Sequence, residues 1–252
     1  MAMTSQITIS AFIDRNFITA DEYNGIKCFA AELPFSPDNI RRFGEIVLRH
    51  SLQDRVGALY VHRHFEMPPD SIVMKYALSE DIEIARIYQA DSLERKHIAG
   101  TSFRLLEGHR FQAYEYAVNV TMPQLPQSFL NELSRFLVDN NLDAVLGLFL
   151  RAPNNDQTLC ELNVAEPKIS VSIPLDDVPD DVQLEATPAS WVYSSSCNEP
   201  NAVSTCSEPI VRCDHSTQPE NDARLLETIC NAFQKRALNP EISLFTKGHI
   251  HK

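Results

Sequence analysis

The chain has 252 residues, 44% of them hydrophobic and 22% charged, a balance that fits a folded globule and excludes wholesale disorder. A formal net charge of -12, with no compensating run of Lys and Arg, opposes a phosphate backbone and argues against nucleic-acid binding. No apolar run reaches membrane-spanning length, and Met1 to Gln6 carries no basic-then-apolar leader, so the expectation is a cytoplasmic or nuclear protein without a membrane partner.

In that reducing setting the six cysteines are expected to be free thiols or metal ligands, not a disulfide framework. The seven glycines form neither G-x-G-x-x-G nor G-x-x-x-x-G-K, which argues against a nucleotide or dinucleotide site.

In chain order, Gln6 to Phe12 and Ile26 to Ala31 read as short strands separated by a turn over Asp21–Gly25. The first helix is well marked. Ser36 is its N-cap, Pro37 its first residue and Asp38 a charge suited to the helix dipole, with Ile40, Phe43 and Val47 on one face. Gly57 to Met67 reads as a strand, and Ile72 to Leu78, after Pro68-Pro69, as its hairpin return. Ile82 to Tyr88, Lys96 to Leu106 and Arg110 to Val120 add three strands, and short links imply an antiparallel meander. A second helix carries Phe129, Leu133, Phe136 and Leu137 on one face, and Leu142 to Leu150 suits a central strand.

Arg151 to Asp156 is polar and turn-rich. It divides an expected α+β core, residues 1–152, from a smaller irregular lobe, residues 153–252, that is separate from or continuous with it. That lobe has strand-like runs at Lys168 to Ile173 and Ser190 to Ser194, a polar stretch over Ser195 to Gln218, and a last helix from Pro219 to Ala237. No internal repeat is legible. The fold class expected is α+β, a mainly antiparallel sheet with two helices on one face and an irregular C-terminal lobe ending in a helix.

The concentrated chemistry lies in Gly57 to Met67. Alternation puts Tyr60, His62, His64 and Glu66 on one face and Leu59, Val61, Phe65 and Met67 on the other. Imidazoles at i and i+2 of a strand can approach one Zn, Fe or Cu ion, and His97 and His109, on or beside other strands, are candidate further ligands. Glu66 is a candidate ligand or general base. Tyr60, Arg63, Tyr114 and Glu115 are candidate ligand-binding residues, against the plainer reading of a hydrogen-bonded sheet face. Cys197, Cys206, Cys213 and His215 form a second, weaker metal set, because no close cysteine pair is present.

The H-x-H strand resembles the first metal motif of cupins, but Glu66 follows His64 too soon and the second cupin motif is missing. Val61-His62-Arg63-His64-Phe65, followed by Ile72-Val73-Met74, resembles a group of uncharacterised fungal proteins over about residues 40 to 80. That resemblance implies a eukaryotic intracellular setting and brings no activity with it.

Two functional readings follow. The first, narrowly preferred for want of a complete catalytic signature, is a binding or interaction module that meets a small molecule or protein through the face around His62 and His64. The alternative is a small metal-dependent enzyme, oxidative or hydrolytic, with those histidines as ligands.

Overall fold

A computed structural model describes residues 17–28, 33–93, 98–118, 124–151, 158–164, 168–180, 187–194, 206–214 and 219–238, the last two segments only in part for side chains. The helices are α1 (Ala20–Asn24), α2 (Pro37–Arg49), α3 (Gln127–Asp139) and α4 (Pro219–Lys235). Ten strands are described: β1 (Val56–Tyr60), β2 (Ser71–Ala77), β3 (Glu83–Gln89), β4 (Ile98–Leu106), β5 (Arg110–Val118), β6 (Leu146–Leu150), β7 (Leu159–Val164), β8 (Ile169–Pro174), β9 (Thr187–Ser194) and β10 (Cys206–Asp214).

The strands close into one barrel in the order β1-β6-β4-β5-β2-β3-β8-β7-β10-β9. The α+β class holds. The sheet, however, is mixed and closed, because β2 runs parallel to β5 and β10 parallel to β7. The expected hairpin between β1 and β2 does not form: β1 pairs with β6 and β9, and β2 with β3 and β5. Closure removes every sheet edge, which a meander would leave exposed. Beyond residue 157, β7 to β10 belong to the same closed barrel as β1 to β6, and α4 follows them. The first expected strand, Gln6 to Phe12, lies outside the described residues.

The barrel has an internal two-fold relation that the sequence conceals. Exchanging β1 to β5 for β6 to β10 in order preserves every pairing, including both parallel ones. The helices follow suit. Ser51 and Asn141 each end a helix at φ 55, and Leu52 and Leu142 donate their amides to Val47 and Leu137 at 3.0 and 2.8 Å. Gly57 and Gly147 occupy matching places, and Ala58 pairs with Leu148, its own equivalent, so the axis passes through that pair. Few side chains are shared between the units, which is why no repeat is legible in the sequence.

Outside the strands, α2 buries Ile40, Phe43 and Val47, and α3 buries Phe129, Leu133 and Leu137, as their spacing predicts. Ser36 and Asn39 form a reciprocal cap at the start of α2. Glu132 of α3 ties the helices together by accepting from Arg49 and lying 2.8 Å from His50 Nε2. The residues expected as a turn, Asp21 to Gly25, instead form α1 and its C-cap, because Thr19 and Glu22 make a capping box.

On the far side, Leu225, Ile229, Ala232 and Phe233 of α4 cover the outward residues of β7 and β8, among them Cys160, Leu162, Val171 and Ile173. Arg236, bonded to Asp81 and Asp177, fixes the end of the helix to the barrel. Phe233 is fully buried there. Replacing it with Ala is expected to cost about 3 kcal/mol or more, read as a lower urea midpoint with an unchanged slope.

Candidate functional site

With the odd-numbered residues of β7 and the even-numbered ones of β8 turned inward, the barrel presents polar side chains to its own interior. Cross-strand register places Glu115 beside Val73 and Ser102, Lys75 beside Ala117 and Ala85, and Ser172 between Glu83 and Glu161. Paired residues in neighbouring strands face the same side of a sheet, so these groups form a polar belt. They border a cavity of about 820 Å³. A lumen of this size lined by charge is unlike a packed core, and is the kind of space in which barrels hold small molecules.

The strand directions place the starts of β1 and β7 and the ends of β2, β5 and β6 at one end of the barrel. Asp54, Arg55, Glu80, Asp81 and Arg151 line the cavity there. His62 and His64 belong to the opposite end. The strand expected over Gly57 to Met67 stops at Tyr60, and the following segment turns across that end, bearing both imidazoles into the lumen.

Contacts to α1 and the residues after it set that turn. Arg63 donates through its amide to Lys27 O at 3.1 Å and through Nε to Ile26 O at 3.0 Å. Asn24 brackets Met67, donating to its carbonyl at 2.9 Å and accepting from its amide at 2.8 Å.

His62 Nδ1 lies 2.8 Å from Tyr60 O. A carbonyl only accepts, so this nitrogen carries the proton and Nε2 keeps its lone pair. Burial and the neighbouring His64 push the His62 pKa down to about 3, so its imidazole is neutral at ordinary pH. The two rings stand 4.6 Å apart at 79°. His64 Nε2 is 3.3 Å from Glu161 Oε1 and 3.8 Å from Glu115 Oε1. Each carboxylate has a serine donor: Ser170 Oγ to Glu161 at 2.7 Å and Ser102 Oγ to Glu115 at 2.6 Å.

Lys75 Nζ reaches Glu115 at 3.1 Å and Glu83 at 3.5 Å. Burial alone would lower its pKa, but Glu115, Glu83 and Glu161 outweigh that and hold it well above the usual lysine value. Burial pushes the Glu83 carboxyl up, partly offset by Lys75. Among the described residues the belt thus carries Glu83, Glu115 and Glu161 with Lys75 between the first two.

His62, His64 and Glu115 therefore meet at the lumen, which Tyr60 and Tyr114 also border, the Tyr60 ring packing edge-on against Phe35. Glu66 does not: its side chain is 76% exposed and lies 3.9 Å from Arg63. The turn of the chain after Tyr60 breaks the alternation that would have aligned Glu66 with the histidines. Arg63 points to the backbone of residues 26 and 27 instead of the lumen. His109 sits on the β4–β5 turn at φ 62, with Nδ1 3.0 Å from Ser134 Oγ of α3. His97, Cys197 and His215 lie outside the described residues, and Cys206 and Cys213 fall on β10.

The residues that sequence reasoning missed are Lys75, Glu83, Glu161 and the serines. Their signal was present as a charged residue inside an apolar strand, as in Leu159-Cys160-Glu161-Leu162. Among the described residues, His62, His64 and Glu161 form the one His/Cys/Asp/Glu group whose donor atoms all lie within 4.8 Å of one another. No helix among them is long and apolar enough to cross a membrane. Compared with known proteins, the chain matches no protein-family model, no curated protein and no solved structure.

Proposed function

We propose that this protein is a binding barrel that encloses a small molecule in its lumen, with the polar belt and His62 and His64 orienting the ligand. The observation that carries this reading is the 820 Å³ cavity bordered by buried ionisable side chains. Burying charge costs several kcal/mol per group unless it is paired, so such a lining is a poor way to stabilise a barrel and a good way to recognise a polar ligand. The inward direction of His62 and His64 supports a small molecule over a protein partner, because a protein surface cannot reach a lumen. Apolar wall from Leu59, Phe149 and Leu159 supplies the rest of the contact area.

A neutral solvatochromic dye such as prodan tests the reading. The parent protein is expected to give saturable, blue-shifted emission. Ala117→Phe puts a ring into the lumen beside Lys75 and is expected to abolish the signal while leaving the melting curve in place. A parent that leaves the dye in water, or a variant that binds it unchanged, would refute an accessible binding lumen.

A further inference from the structure

The geometry points to a divalent transition-metal centre in the lumen, held by His62 Nε2, His64 and a Glu161 carboxylate oxygen. It deepens the reading of the lumen as a binding chamber and rests on it. Two independent features converge. The donor atoms lie within 4.8 Å of one another, close enough to contract onto one ion. Their supports have the form that metal ligands require. Tyr60 O takes the Nδ1 proton of His62 and so aims Nε2, while Ser170 Oγ bonds Glu161 and restrains its rotation.

The donor chemistry selects the class of ion. Two imidazoles and one carboxylate suit Zn, Fe(II) or Co(II), whereas Ca and Mg prefer all-oxygen sets. Three protein ligands leave coordination positions open toward the lumen, the arrangement of a site that receives a ligand and not of a structural one. Glu115, 3.8 Å from His64 and held by Ser102 and Lys75, stands beside the centre as a fixed acceptor for whatever binds there. A small molecule with an anionic or lone-pair donor therefore fits this lumen, its donor on the metal and its remainder along the apolar wall.

Cobalt(II) alone is the probe, added to the full chain after chelator treatment and followed by visible absorption and by metal content after gel filtration. The expected result is about one Co(II) per chain with the spectrum of a low-coordinate site. His62→Ala and Glu161→Gln should lose it. Ser170→Ala, which leaves all three ligands in place, should weaken it roughly 10- to 100-fold. Circular dichroism melts accompany each variant, and Ser170→Ala serves if the others do not fold. Absence of Co(II) uptake by a parent that still binds prodan would overturn the metal centre alone. Absence of both would overturn the binding lumen with it. Uptake that persists undiminished in His62→Ala, Glu161→Gln and Ser170→Ala would place the ion elsewhere and overturn the assignment.

Discussion

Replacing Lys75 with Met is expected to cost about 3 kcal/mol at pH 7, a fall of roughly 6–12 °C in melting temperature for a chain of this size. The thioether keeps most of the stem volume, so the loss reports charge. Lys75 pairs with Glu115 and Glu83, at 3.1 and 3.5 Å, and its removal strips the buried Glu115 of its ammonium while Glu83, 41% exposed, keeps part of its solvation. Its side chain keeps 20% exposure, which places the expected cost at the lower end for a broken buried pair.

The pH dependence gives the sign. The folded-state pKa of Lys75 is raised, so its contribution is fully present below the ordinary lysine value of 10.5 and is lost as pH climbs through the folded value. The raised Glu83 carboxyl also favours the protonated folded state, so stability falls as pH rises from 4.5 through its folded value. Without Lys75 that carboxyl rises further. The cost of Lys75→Met should therefore shrink between pH 7 and pH 5. Melts of parent and variant at both values check this, and a cost that grows on acidification would contradict the charge arrangement.

Gly147→Ala is expected to be comparably severe, about 3 kcal/mol, because the barrel has no room for one carbon there. A Cβ at this position would meet Phe103 O at 2.1 Å and Val61 Cγ2 at 2.9 Å. The first is backbone of the neighbouring strand, paired through Phe103 and Leu148, and cannot turn aside as a side chain would. The two-fold equivalent, Gly57, is crowded differently: its Cβ would meet the Phe149 ring at 2.2 Å and Trp191 O at 2.5 Å. Gly108→Ala is the control, with nothing within 4 Å but φ at +76, so it should cost only about 1 kcal/mol of backbone strain. Urea unfolding of the two variants tests the order. A Gly147→Ala protein as stable as Gly108→Ala would mean that β4 and β6 are not so closely apposed.

The close approach at Gly147 and the charge at Lys75 have a common origin in closure. A sheet that closes on itself must bring strands distant in sequence into register, and its inner face becomes a chamber whose contents no local pattern specifies.

Local signals determined much of the rest. Ser36, Pro37 and Asp38 announced α2 to within a residue, and the i, i+4, i+7 apolar stripe located α3, because caps and helical faces are set by neighbours in the chain. Alternation located most of β2 to β6 and β8, and the pairing of imidazoles at His62 and His64 singled out one wall of the site. Tertiary structure alone decided the partners of β1, the two-fold relation of the units, and the place of Glu66 outside the lumen. It also decided that Glu161, about a hundred residues beyond the histidines, stands 3.3 Å from one of them. Helix caps and strand faces are short-range consequences of backbone geometry, legible along the chain. Which strands meet, and so which buried charges converge, depends on long-range pairing that closes the barrel, and a single sequence carries no local trace of it.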